Sequence, residues 1–467
     1  MRKFFGDRAF YRKLFAVMIP ILIQNVITNF VGLLDNIMVG RLGTEQMSGV
    51  AIVNQLIFVF ALCIFGGISG AGIFTTQFFG SHDDEGIRHT IRVKYYIVFG
   101  AVAIFALAFV FFGDDLIGFF LHEGEEDLDL AATLSFGREY MSVMIWQMLP
   151  FAVMQIYSGT LRETGETVVP MVSGIAAIFV NLFLNWVLIF GKLGAPAMGV
   201  RGAALATLIA RFVELGTVVI WTHTHTSRCT YIKGLYRSFR VPGSLLKRIA
   251  VKGLPLLLNE VLWSSGMTML NQCYSKRGLE VVSAVNISST VSNLFFCSFF
   301  AMGSTIAIIV GQLLGAGEYE RAVDEDRKLV TFSVLLCTAT GAVMAAVAPL
   351  VPQIYNTTPT VKQLAATLLM VSAAMMPMDA FTNASYFTLR SGGKTFITFL
   401  FDSGFVWALC VPVAFVLSRF TSIPIVPMFI IVRCLDLIKC LIGFILIKKR
   451  SWVNNLTIEN GGVDMVQ

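Results

Sequence analysis

The sequence predicts an all-α integral membrane protein of twelve transmembrane helices, in two six-helix lobes related by a pseudo-twofold axis along the membrane normal. Three observations predict it. Of 467 residues, 56% are apolar and only 14% are charged, with a mean hydropathy of +0.75. A soluble protein of this length carries about a quarter of its residues as Asp, Glu, Lys or Arg, so this chain cannot clothe its own surface. Second, twelve apolar runs reach the length that crosses a hydrocarbon core. Third, the chain repeats itself at an offset of 235 residues. The composition excludes a soluble enzyme, a nucleic-acid binder and a disordered chain. The net charge of +6 lies in loops beside apolar spans, not on a basic domain.

The runs are 14–39, 47–74, 92–112, 133–160, 168–190, 200–222, 252–275, 281–313, 329–350, 363–388, 395–418 and 424–447. Several exceed the minimum length, so tilts or kinks are expected. The first follows a basic segment, Arg2 to Lys13, but is long and lacks a small-residue cleavage site. It therefore predicts an uncleaved first helix rather than a signal peptide. With the N-terminus inside, the cytoplasmic segments hold 24 Lys or Arg and the outer loops 8, with 3 inside spans. The positive-inside rule places both termini in the cytoplasm. Asp114 to Asp129, with seven carboxylates and no Lys or Arg, then falls outside.

Sliding the chain by 235 residues aligns 20–92 with 255–327, and 17 of 73 positions are identical. They include Pro20/Pro255, Asn36/Asn271, Gly43/Gly278, Gln77/Gln312 and Gly80/Gly315. Leu161-Arg162-x-x-Gly165-x-Thr167 likewise matches Leu389-Arg390-x-x-Gly393-x-Thr395. An even number of spans per half gives both halves one orientation, the architecture of transporters that hold substrate between the halves. The expected organisation is an N-lobe over 1–222, a basic cytoplasmic linker over 223–250, a C-lobe over 251–450 and a cytoplasmic tail over 451–467. The linker's charge also suits anionic lipid, although its orienting role alone accounts for it.

An ionised group at the membrane centre costs ~2.5–3.5 kcal/mol on insertion scales, so each needs a reason. Glu214 follows Arg211, and Asp436 follows Arg433, by three residues in spans 6 and 12. Each reads as a neutralised pair on one helix face. Asp35, Glu260 and Asp379 break the repeat, and none has a basic residue within four positions. At 1.5 Å per residue, Glu260 and Asp379 lie roughly 12 and 16 Å from the inner end and can share a site. Asp35 lies roughly 31 Å from its inner end, level with Asn185. Two polar clusters follow, one per lobe: Asp35 with Asn181 and Asn185, and Glu260 with Asp379. Asn286 is a further polar candidate for the cavity, and Asp402, at the depth of Glu260, is a candidate third acid. Buried carboxylates of this kind carry a proton, or with amides form an oxygen cage for a small cation. The alternative is acids satisfied by Ser, Thr or backbone partners. Pro20 and Pro255 each remove a helix hydrogen bond and read as hinges near these charges or as static kinks. Gly66 and Gly70 form G-x-x-x-G, a close-packing motif.

No P-loop occurs, since Thr388 holds the first glycine position ahead of Gly393-Lys394-Thr395, and there is no H-E-x-x-H. ATP-driven pumping and metalloprotease chemistry are not indicated. The eight cysteines form no C-x-x-C pair, so neither a disulfide framework nor a zinc site is expected.

The run Asp35-Asn36-Ile37-Met38-Val39-Gly40-Arg41-Leu42-Gly43 resembles the first-helix signature of the multidrug and toxic compound extrusion (MATE) antiporters. Pro255-Leu-Leu-Leu-Asn-Glu260, Met378-Asp379-Ala380 and Asn181-Leu-Phe-Leu-Asn185 resemble its NorM-like branch. The two Gln-x-x-Gly and two Leu-Arg-x-x-Gly segments fit as well. The resemblance implies a two-lobed inner-membrane exporter of organic cations, driven by inward Na⁺ or H⁺, with no enzymatic activity, no cofactor and no use of ATP. A monomer in the lipid bilayer is expected, with no nucleic-acid partner. By position, Glu260 and Asp379 match the C-lobe coupling acids and Asp35 the first-helix acid. Some members carry an aspartate where this chain has Asn185, which tilts the expectation toward C-lobe coupling, with transient Na⁺ at Glu260 and Asp379. A flippase for a lipid-linked precursor is the alternative, and it would line its cavity with Arg or Lys. A non-transporting receptor or scaffold is the second alternative.

Overall fold

A computed structural model describes residues 4–120 and 129–458. The expected outer loop Asp114–Asp129 falls partly outside the described residues, as do the tail's last residues. The helices are α1 (Arg8–Gly40), α2 (Thr44–Gly80), α3 (Asp84–Gly118), α4 (Leu130–Glu163), α5 (Val168–Phe190) and α6 (Gly199–Thr224). The second half repeats the order with α7 (Gly243–Ser275), α8 (Leu279–Gly315), α9 (Tyr319–Val347), α10 (Pro359–Ser391) and α11 (Thr395–Phe420). The last run is two pieces, α12 (Ile425–Cys434) and α13 (Asp436–Lys448), separated at Leu435. No strand occurs among the described residues. The fold is all-helical, with twelve helical runs as expected.

By length and composition, nine helices among the described residues are apolar enough to cross a membrane. The exceptions are α4, α7 and the broken last run. α7 carries Asn259, Glu260, Ser264 and Ser265 through its middle, and α4 carries Gln147 and Gln155. Both α1 and α7 run on as helix through Pro20 and Pro255. α3 bends at Phe112, whose φ and ψ are −121° and 15°. In α11, two π-helical turns, Leu400–Gly404 and Val406–Cys410, replace regular α-helix. Such turns are rare, and they turn the side chains after them to a new azimuth.

Contacts divide the chain into two compact units, one of Met1–Leu22, Thr76–Asp83 and Arg248–Gln467, the other of Ile23–Thr75 and Asp84–Lys247. In the second, α6 packs on α4 and α5, and α3 on α4. In the first, α8 and α9 pack on α10, which also receives α13. There, one apolar cluster joins Leu14, Val17 and Met18 to Ile306, Ile309 and Leu314 and closes over Trp452.

The duplicated Gln-x-x-Gly segments meet inside that first unit. A Cβ on Gly80 would overlap the carbonyl of Gln312, and a Cβ on Gly315 would overlap that of Gln77. The two glycines thus let two backbones touch at a place only Gly fits. Gln77 then ties the tail down: its amide donates to the carbonyls of Ser391 (2.9 Å) and Asn454 (3.2 Å) and accepts from the Leu456 N–H (2.6 Å). The described part of the tail is therefore built into the fold. Gly315→Ala is expected to destabilise by about 1–3 kcal/mol through overpacking. Gly100→Ala, where nothing lies within 4 Å, is expected to be neutral or stabilising. Thermal unfolding of the two variants in detergent checks the contrast.

Candidate functional site

The first cluster is built by α1, α5 and α6. Asn181 and Asn185 sit four residues apart, so one face of α5 presents both amides. The Asn185 amide nitrogen donates to Asp35 Oδ1 at 2.7 Å and to Asn181 Oδ1 at 3.1 Å. Turning the Asn181 amide brings its nitrogen to 2.9 and 3.2 Å from the two Asp35 oxygens, with its oxygen accepting from Thr207 Oγ1 at 3.2 Å. Asn185 Oδ1 is buried and has no hydrogen-bond partner among the described residues. Tyr140, on which the Asp35 charge acts, donates to Asn54 at 3.1 Å. Among the described residues no Lys or Arg forms an ion pair with Asp35. Arg211, the base whose charge acts on Asp35, is held by Glu214 at 2.7 Å, the pair expected from their spacing. The structure thus brings Asp35, Asn181 and Asn185 together, and adds Thr207 and Tyr140.

The second group of acids is arranged differently from the expectation. Asp379 and Glu260 are not joined by any hydrogen bond among the described residues. Asp379 on α10 is instead bound by Arg433 on α12 at 2.6 Å, while Arg433 reaches Asp436 at 3.3 Å. Arg433 therefore bridges two acids, and the closer one is 54 positions away. Asp402, on the first π-turn of α11, pairs with Lys439 of α13 at 2.7 Å and accepts from Asn259 of α7 at 3.1 Å. Asn259 in turn accepts from Ser403 Oγ at 2.7 Å, fixing the π-turn against α7. Glu260 is half-buried and makes no side-chain hydrogen bond or ion pair among the described residues; Arg390 and Asp402 are the charges that act on it. Asn286 is exposed, and its side chain has no partner among the described residues. This group holds four carboxylates, Glu260, Asp379, Asp402 and Asp436, against three bases, Arg390, Arg433 and Lys439. One negative charge is left over.

Asn259 is 2% exposed, and its removal takes the amide donor from Asp402, while the Ser403 hydroxyl keeps the Asn259 backbone carbonyl at 2.8 Å. Asn259→Ala is expected to cost about 1–3 kcal/mol through the donor lost to Asp402, read as a fall in unfolding midpoint larger than that of Ser403→Ala, which leaves the Asn259–Asp402 bond in place.

Sequence reasoning missed two buried ions. Lys94, fully buried, donates to Thr160 at 3.1 Å and pairs with Glu163 at 2.5 Å. Asp326, 1% exposed, accepts from Thr388 at 2.6 Å. Thr160 and Thr388 immediately precede the two Leu-Arg-x-x-Gly segments, and that repeat was the available signal. Each lobe thus fixes its own internal ion at an equivalent threonine, which gives both a structural role.

Comparison with known proteins agrees with this architecture. The family model MatE matches residues 20–187 and 255–416, one stretch in each half. A probable multidrug resistance protein NorM of Thermotoga maritima is 25% identical over 418 residues, covering 88% of this chain and 86% of that protein. The multidrug resistance protein MdtK of Yersinia pseudotuberculosis is 24% identical over 409 residues, covering 87% of each. Among solved structures, an outward-facing multidrug resistance MATE transporter superposes with a TM-score of 0.85 at 19% identity, covering 96% of this chain and 97% of that one. A transporter from Pyrococcus furiosus, described as having a binding pocket of reversed polarity, superposes at 0.84 with 18% identity, covering 96% and 97%. Matched in both halves, over most of its length, the chain belongs to the MatE family.

Proposed function

We propose that the chain is a secondary antiporter of the cell (inner) membrane, with both termini cytoplasmic, that exports organic cations in exchange for inward Na⁺ or H⁺ by alternating access. One observation carries the reading: Asp35 is a carboxylate without an ion-pair partner among the described residues, held by the amide nitrogens of Asn185 and Asn181, with the buried Asn185 Oδ1 left unpartnered. A proton on Asp35, or a small cation held by Asp35, Asn185, Asn181 and Thr207 oxygens, satisfies that acceptor set. The ion's work is limited to the difference in its affinity between the two access states.

The C-lobe acids then divide in role. Asp379 and Asp402 are occupied by Arg433 and Lys439, so coupling shifts from the Glu260–Asp379 pair to Asp35, with Glu260 as the C-lobe acid open to a cation. The single uncompensated negative charge in that group suits a monovalent organic cation as cargo. Pro20 and Pro255 are the bending points that the cycle would use, since each leaves a carbonyl free of its helix bond. A flippase for anionic head groups needs bases free to meet them, and here Arg433 and Lys439 face carboxylates instead.

The test is reconstitution in liposomes with Na⁺ and H⁺ gradients imposed separately, following a fluorescent organic cation. Flux driven by one gradient supports antiport and names the ion. No flux under either gradient removes the reading and turns attention to lipid-linked cargo or a receptor.

A further inference from the structure

A second site lies where α3 meets the segment after α6. Arg88, Arg92, Lys233, Arg237 and Arg240 line a groove of about 720 Å³, a volume in the range of small-molecule sites. Two of the bases build it. Arg92 is almost fully buried and donates to the carbonyls of Leu235 (3.2 Å), Gly234 (3.4 Å) and Arg240 (3.5 Å). Arg88 donates to the carbonyl of Lys233 at 2.9 Å. The segment is thereby pinned to α3 at four carbonyls.

The remaining three bases, Lys233, Arg237 and Arg240, are exposed, and their side chains have no partner among the described residues. The one acid lining the groove, Glu85, is already engaged by Arg88 (2.6 Å), Arg92 (3.3 Å) and His89 (3.5 Å). Three exposed positive charges line a space whose one acid among the described residues is already paired.

What borders the groove decides which anion fits. Along α3 the bases give way to Tyr95, Tyr96 and Phe99, and then to exposed Ile104, Leu107 and Val110. At 1.5 Å per residue, Phe99 lies roughly 17 Å along the helix from Arg88, a descent from head-group level into hydrocarbon. From the other side, Tyr236 and Phe239 lie against Tyr95, each at a ring separation of 6.4 Å, and both stay exposed. Tyr96 fixes the chain there by donating to the Phe239 carbonyl. Aromatics of this kind mark the membrane interface.

We propose that this groove binds the phosphodiester of an anionic phospholipid through Lys233, Arg237 and Arg240, with the acyl chains along Tyr96, Phe99 and Phe239. A free phosphate shares the charge but has no use for the aromatic border. The site is independent of the transport reading, because it shares no residue with either acid cluster.

The test uses the full chain in phosphatidylcholine nanodiscs with increasing phosphatidylglycerol, counting bound lipid by native mass spectrometry. Lys233→Gln, Arg237→Gln and Arg240→Gln are each expected to weaken phosphatidylglycerol binding by about fivefold, as one charge near an anionic surface is worth. Their unfolding midpoint in pure phosphatidylcholine should match wild type, since the three side chains hold nothing else. Arg228→Gln, whose partner is Glu166 at 3.5 Å, should bind lipid as wild type does. Wild-type binding by the triple variant, or an equal loss in Arg228→Gln, overturns the site. Displacement of the lipid by millimolar inorganic phosphate would assign the groove to a soluble anion and overturn the lipid assignment.

Discussion

Arg433→Gln should lower the stability of the protein by about 3–5 kcal/mol, the cost of stripping one partner from a buried ion pair. The guanidinium is 23% exposed and its two acids 13% and 21%, so solvent cannot replace what is lost. Asp379 on α10 and Asp436 at the start of α13 would then both lose the base they share. Asp379→Asn should cost much less, because Arg433 keeps Asp436. Pairing Arg433→Met with Asp379→Leu and Asp436→Leu, which removes the base together with both of its acids, should restore most of the loss, as apolar replacements of buried ion pairs often do. Thermal or denaturant unfolding in detergent measures all three. A mild Arg433→Gln would mean that the bridge is a solvated contact, and Asp379 would again be a candidate coupling acid.

Asp35→Asn should behave in the opposite way, leaving the fold intact and removing the drive. The carboxylate holds no base, so its neutralisation strands no charge, and an asparagine side chain keeps the hydrogen bond to Asn185 by turning its oxygen toward it. Allosteric coupling between sites is typically worth about 1–3 kcal/mol, so gradient-driven export should fall by about 5–150-fold. Cargo binding in the absence of a gradient should change far less. Loss of cargo binding with coupling retained would make Asp35 a substrate contact instead.

The architecture was largely legible because it rests on length and period. Apolar runs and the 235-residue repeat act along the chain, and the helices follow them. The first-lobe cluster was legible for the same reason: Asp35 and Asn185 sit at one depth, and Asn181 is one turn from Asn185 on the same face. Depth arithmetic failed in the second lobe because height says nothing about rotation around a helix axis. By helix rise alone Glu260 and Asp379 lie within about 4 Å of one depth, yet Asp379 faces α12 while Asn259, one residue before Glu260, faces the π-turn of α11. A π-turn adds a residue to the helical turn, so it re-aims Asp402 toward Lys439 in a way no regular period foretells. Asp326 falls outside the apolar run that begins at 329 although α9 starts at Tyr319, and Lys94 sits only two residues into the run that begins at 92 although α3 starts at Asp84. The tail's anchoring on Gln77 links positions 379 apart, a separation local pattern cannot reach.

The central claim is that the coupling ion binds at Asp35 and not at the neutralised pair in the other lobe. The most direct measurement is ion binding itself: Na⁺ titration and proton release by the purified full chain, in wild type, Asp35→Asn, Glu260→Gln and Asp379→Asn. The account predicts that binding is lost in Asp35→Asn and kept in Asp379→Asn, with Glu260→Gln altering cargo affinity more than ion affinity. Ion binding that survives Asp35→Asn and disappears in Asp379→Asn would contradict it.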